Sequence, residues 1–225
     1  MGRTIWSPMY HFLMTKGTCF TTLPPPPINS NGYEYVDLGL PSHTLWATCN
    51  VGASNPSDYG QYFQWGDTVG YTAEQVGTGE GQKEFDLPDY KWYSNDKYDS
   101  GAKLELEDDA AHVNMGGDWH MPTDEQCEEL SDNTTSAWTI SDNVSGVTFT
   151  SKKDGSKSIF IPAAGSANNG KVSDIGIQGN VWASMNDADF YSIGHCLQFN
   201  SEGINAGASG ANPTYYGQSV RGVIG

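Results

Sequence analysis

Apolar residues fall along this chain in short bursts separated by Gly, Asn, Ser and Asp, a pattern that predicts many short strands and few helices. Residues 33–40 (YEYVDLGL) alternate as a half-buried strand does, and residues 45–53 read as a second strand ending in a turn. In the next segment Pro56 suits the first turn of a helix with Asn55 as its cap, and Tyr59, Tyr62 and Phe63 follow at helical spacing. The polar, Gly-rich and Asp/Tyr-rich stretch 67–103 is expected to be a long surface excursion. Two short helices are expected within 104–133. The first stops at Gly116-Gly117, and the second starts at Thr123, with Glu125 and Gln126 placed for capping and Cys127 and Leu130 on one face. Residues 138–140, 146–151 and 158–162 read as strands, the last two joined by the turn Lys152-Lys153-Asp154-Gly155, and 219–224 reads as a closing strand. The sum is an α+β fold.

In residues 179–216 the apolar positions Trp182, Leu197, Phe199 and Ile204 stand isolated among Asn, Ser, Gly, Ala, Asp and Tyr. That is the composition of a loop-rich recognition surface held on buried anchors, since Tyr and Phe give rigid contact area and Ser, Gly and Asn adapt their hydrogen bonds. Ordinary connecting loops have the same composition, because these residues tolerate positive φ.

Composition and charge narrow the partners. With 225 residues the chain can bury a proper core, and a net charge of −16 argues against nucleic acid, whose phosphates need clustered Lys and Arg. No window approaches the ~18 apolar residues of a membrane span, and the start lacks the apolar core of a signal peptide. Residues 1–23 are apolar and aromatic, and four prolines at 24–27 form a stiff spacer, so 1–31 is expected to be an arm that attaches to a virion or joins copies of the chain. The cysteines Cys19, Cys49, Cys127 and Cys196 show no zinc or redox spacing. Free thiols are expected, with Cys49 and Cys127 the first pair to check for a disulfide.

Six blocks in order carry a resemblance: residues 36–53 (VDLGLPSHTLWATCNVGA), 56–67 (PSDYGQYFQWGD), 106–130 (LEDDAAHVNMGGDWHMPTDEQCEEL), 158–165 (SIFIPAAG), 181–184 (VWAS) and 217–223 (GQSVRGV). They resemble the bacterial and phage C-type-lectin-like domain of the formylglycine-generating-enzyme subtype, found as major paralogous domains and as variable proteins of diversity-generating retroelements. The likeness covers 32–225 and leaves the arm outside it.

This resemblance implies a C-type lectin fold with short antiparallel strands, two or three helices and long irregular loops, in which the first strand near Tyr35 meets the last near Val220. It also implies that 179–216 is a variable ligand-binding region, rewritten through adenines of Asn codons. Lys, Glu, Gln, Met and Trp cannot arise that way, and they hold four of the 38 positions of 179–216 against 35 of the 178 before it, a depletion in the implied direction. Where such relatives carry Ser or Asn, this chain carries Ala183, Asp189, Phe190, Ser192, His195, Cys196, Gly203, Ala208, Gly210, Thr214 and Tyr216. These side chains are expected to gather on one exposed surface, with Trp182, Leu197 and Phe199 pointing inward.

Motifs for chemistry are sparse. The reactive cysteine pair of the formylglycine-generating enzymes would fall near the end of the fold, where only Cys196 stands, and no GxSxG, HExxH or phosphate-binding loop occurs. The calcium-binding tripeptides of sugar-binding C-type lectins are missing too, although the carboxylate-rich loops leave room for a structural calcium. The expectation is a non-enzymatic protein, without a required cofactor, that binds a protein or glycan receptor from a phage tail or cell surface. The alternatives are a divergent enzyme of the formylglycine-generating type and an invariant surface or pilus domain.

Overall fold

The computed structural model describes residues 31–93 and 97–225. The expected arm and its proline spacer lie outside the described residues. Twelve strands and two α-helices run in the order β1 (Tyr35–Asp37), β2 (Leu45–Ala47), α1 (Ala110–Met115), α2 (Asp124–Asn133), β3 (Thr134–Ser141), β4 (Val144–Ser151), β5 (Ser158–Pro162), β6 (Ser166–Asn168), β7 (Lys171–Ser173), β8 (Gln178–Asn186), β9 (Ile193–Asn200), β10 (Ile204–Asn205), β11 (Ala211–Pro213) and β12 (Val223–Ile224). The described chain is thus a strand-dominated mixed fold, its sheets open and antiparallel.

Local signals explain the helices. Asp109 caps α1 by accepting the His112 N–H at 2.9 Å, and Gly116 ends it at φ 71°, where a side chain would be strained. Thr123 and Gln126 close a capping box on α2: Thr123 N–H donates to Gln126 Oε1 at 2.9 Å, and Gln126 N–H returns to Thr123 Oγ1 at 3.3 Å. Cys127 and Leu130 are the residues this helix buries. The β3–β4 hairpin turns on Asp142 and Asn143, both at positive φ, as a two-residue hairpin turn requires.

The strands form a three-stranded sheet β1-β2-β12, a second sheet β3-β4-β5, the hairpin β6-β7, and a sheet in which β9 pairs with β8, β10 and β11. The first and last strands share a sheet, but β2 lies between them, so they are not directly paired. Trp46 and Val223 stand opposite each other in that register. Three apolar clusters fill the interior. One packs Leu130, Phe149, Ile161, Leu197 and Phe199; a second gathers Trp65, Trp119 and Trp182; a third holds Tyr62, Phe85 and Ala167. Trp46, Trp65, Trp119 and Trp182 are all buried, and for Trp182 this is what the anchor pattern predicts.

Three expectations need correction. Residues 55–58 form a turn and not a helix start, because the Asp58 carboxylate collects the Asn55 N–H at 2.9 Å and the Asn55 amide at 3.0 Å; Tyr62 and Phe63 then run extended and bridge to Tyr71 and Gln218. The 67–103 stretch is not all surface, since Val76, Phe85 and Tyr98 are buried. Residues 179–216 are mostly sheet, with β8 and β9 nearly buried throughout. The expectation of free thiols holds among the described residues: Cys49, Cys127 and Cys196 are unpaired, and Cys127 sits in the first core cluster.

Candidate functional site

The β8–β9 connection is a loop that fixes its own shape. The Asp187 carboxylate accepts the N–H groups of Asp189 at 2.8 Å and Phe190 at 3.0 Å, the first of which does most to hold this carboxyl below its usual range. Asp187 N–H donates to the Ile193 carbonyl and Ile193 N–H to the Phe190 carbonyl, each at 2.9 Å. With both ends tied, the tip residues Phe190 and Tyr191 are left 63% and 53% exposed.

The loop is stitched to the interior through Thr214. Its N–H donates to the Ser192 carbonyl at 2.9 Å, and its own carbonyl accepts the Trp65 N–H at 2.9 Å. Opposite stands a wall from 87–93 and Tyr98. Tyr90 gives its phenol proton to the Trp65 carbonyl at 3.0 Å and lies against the Thr214 hydroxyl; burial pushes its pKa up. Trp65 and Tyr98 meet edge to face at 5.3 Å, and Trp92 and Tyr98 at 5.9 Å. Between the two walls lies a cleft of about 260 Å³, lined by Trp65, Tyr90, Trp92, Tyr93, Tyr98 and Tyr191 with Leu87, Ser192 and Thr214.

Behind the aromatic wall sits a charge cluster. Asp108 takes Lys91 Nζ at 2.8 Å, Lys97 Nζ at 2.6 Å and the Tyr98 hydroxyl at 2.6 Å. Burial alone would raise this carboxyl, but the three donors prevail and its pKa lies below the ordinary value. Lys97 also meets Glu105 at 2.9 Å and Glu107 at 2.7 Å. Among the described residues, Glu105, Glu107 and Asp108 are the carboxylates close enough together to suggest a metal, and the Lys97 ammonium already supplies positive charge among them. The donor set therefore does not fit a free calcium cage.

The structure separates the eleven residues expected on one surface. Ser192 is exposed in the cleft lining, Asp189 and Phe190 are exposed on the loop beside it, Thr214 is buried in the cleft wall, and Tyr216 is half-buried against Tyr215. Gly203 is exposed at the other end of the eight-residue β9, roughly 24 Å away at about 3.3 Å per residue. Ala208 is exposed in the single turn Gly207–Ser209, whose Gly207 packs on Asp124 and Glu128 of α2. Ala183, His195, Cys196 and Gly210 are buried. Ala183 offers its carbonyl to the Trp65 indole at 3.0 Å, and Gly210 lies against the Cys196 carbonyl where a Cβ would collide. His195 Nδ1 lies 2.6 Å from Asp124 and Nε2 lies 3.6 Å from Asp187, so this side chain joins α2 to the exposed loop. Strict face alternation fails here because β9 is covered on both sides, by α2 and by the core.

Sequence reasoning missed the wall made by 87–93 and Tyr98. The signal was there in LPDYKWYSNDKY, where four aromatic residues fall within nine positions of a segment otherwise polar enough to read as surface. No family model, no curated protein and no solved structure matches this chain.

Proposed function

We propose that this chain is a non-enzymatic ligand-binding protein with a C-type-lectin-like fold, displayed on a phage tail or cell surface through residues 1–23. Its recognition face is the aromatic cleft with the 187–192 loop, and retroelement diversification acts on the side chains exposed there. One observation carries this reading: the loop holds its backbone by its own hydrogen bonds while pointing Asp189, Phe190 and Ser192 outward. Side chains on such a loop can change without altering its path. The closing of both ends of 35–224 into one sheet supports the fold. The two buried thiols support binding over thiol chemistry, because burial pushes Cys127 well above its ordinary value and Cys196 up to about 12.

Two measurements test the proposal. An adenine-rich near-copy of codons 180–220 beside a reverse-transcriptase gene is expected at the locus, and an unaccompanied gene rejects diversification. A library randomised at 189, 190 and 192 and selected on intact bacterial cells is expected to yield clones with distinct cell preferences. If every folded clone keeps the parent's preference, the cleft is not the recognition face.

A further inference from the structure

The cleft has a chemistry of its own. At about 260 Å³ it falls just under the roughly 300–1,000 Å³ of pockets for drug-sized ligands, so it holds one ring or one extended side chain. Its walls are aromatic, and aromatic faces attract cations through their quadrupole. This same wall already does so: Lys91 Nζ stands 4.5 Å from the Trp92 ring centre, and Lys97 Nζ 5.3 Å from that of Tyr98.

The segments that line the cleft carry more carboxylates than ammonium groups. Asp86 adjoins Leu87 in one wall, Asp187 and Asp189 belong to the loop that holds Tyr191 and Ser192, and the whole stretch 172–220 contains no Lys or Arg. Lys91 and Lys97 bring little positive field to the opening, because three carboxylates, Glu105, Glu107 and Asp108, neutralise the two ammonium groups. With a net charge of −16 on the chain, an anionic ligand is repelled at long range, a neutral sugar is not steered, and a cation is drawn in. The Ser192 hydroxyl at the rim adds an acceptor for an N–H donor.

We infer that the cleft receives a single alkylammonium or guanidinium side chain presented by a basic protein partner, Tyr93 and Tyr191 closing over it from opposite walls. This rests on the reading of the cleft as the recognition face.

The experiment titrates the whole chain at low and moderate salt with a decalysine peptide, a decaglutamate peptide and cellohexaose, following tryptophan fluorescence and heat. Tyr93 and Tyr191 are 55% and 53% exposed, so their replacement leaves the fold intact, which the melting temperature checks. Decalysine is expected to bind and the other two probes to give no response. The double variant Tyr93→Ala with Tyr191→Ala should weaken decalysine by about tenfold, and Tyr→Phe at both positions should keep it within about twofold, because the ring and not the hydroxyl carries the attraction. Asp189→Asn should flatten the salt dependence. Decalysine binding that ignores the tyrosines reports diffuse charge attraction and overturns the inference. Cellohexaose bound through the same tyrosines, without decalysine binding, also overturns it but keeps the cleft as a recognition face. No response to any probe overturns it as well, and the cell-selection experiment above then decides separately whether the cleft recognises a partner.

Discussion

Trp182 gives its indole proton to the main-chain carbonyl of Phe63 at 2.7 Å, fastening β8 to a segment 119 residues earlier in the chain. Trp65, two residues past Phe63, returns the link by donating to the Ala183 carbonyl at 3.0 Å. Gly194 fits between the two indoles, where a Cβ would come within 2.9 Å of Trp65 and 3.0 Å of Trp182. Truncating Trp182→Ala should therefore cost about 3–5 kcal/mol in urea denaturation. Trp182→Phe should cost less, about 1–3 kcal/mol, because the Phe63 carbonyl keeps its second donor, the Gln218 N–H at 3.0 Å. An alanine variant with the wild-type midpoint would show that Trp182 anchors nothing.

Tolerance to replacement should split the eleven positions by exposure. Pooled substitutions at Asp189, Phe190, Ser192, Gly203 and Ala208 should stay within about ±0.5 kcal/mol of wild type. Gly210→Ser and Ala183→Asp should each lose about 2 kcal/mol or more, the first by driving a Cβ into the Cys196 carbonyl and the second by burying an unpaired charge. Deep mutational scanning with a folding reporter gives both answers at once. Equal tolerance in the two groups would contradict the packing described.

The Asp108 cluster sets an acid limit. Its folded carboxyl pKa is depressed below the ordinary 3.8, so its stabilisation is complete above that value and is lost as pH falls through the lower folded value. Asp108→Asn should destabilise the neutral protein by about 1–2 kcal/mol, discounted because both lysines are partly exposed. The gap between wild type and variant should close as the solution is acidified below the ordinary value. Melting temperatures measured from neutral to strongly acid pH check this, and a gap that stays constant would refute the cluster's role.

Buried thiols predict a labelling pattern. Iodoacetamide at mildly alkaline pH should modify Cys49, which is half-buried, and leave Cys127 and Cys196 untouched until denaturant is added. Peptide mapping by mass spectrometry reads each site. Native-state labelling of Cys196 would mean that β9 opens readily.

Elements whose signals are local were legible in the sequence. The α2 capping box, the glycine stop of α1 and the hairpin joining β4 to β5 all depend on residues within a few positions of one another. What stayed illegible depends on distant partners. Asn180 and Asn186 read as loop residues, yet they lie in β8, buried. Asn186 accepts the Ala102 N–H at 2.6 Å and donates to the Asp99 carbonyl at 2.9 Å, while Asn180 donates to the Gly165 carbonyl at 3.3 Å. A polar side chain in a strand is tolerated once such partners arrive, and spacing alone cannot announce them. The cleft was half visible for the same reason. Its 187–192 loop was legible as an exposed loop, whereas residues 87–93 and Tyr98 become a wall only through Trp65 and Thr214.

Arg221 carries a consequence for assembly. It is fully buried, and its guanidinium donates to Asn50 Oδ1 at 2.8 Å, the Ala47 carbonyl at 2.9 Å and the Phe160 carbonyl at 3.2 Å, with burial lowering its pKa to about 10. The residues just before it bridge to Phe63, Ala167 and Val181. Residues 217–224 therefore act as the threading pin through pieces laid down early, midway and late in synthesis. A nascent chain still short of this segment lacks the edge strand beside β2 and the bridges to Phe63, Ala167 and Val181, all contacts of high sequence separation, so folding is expected to be slow. Ribosome-stalled chains lacking 217–225 should accordingly stay protease-sensitive, and chains extended until 217–225 has cleared the exit tunnel should be resistant.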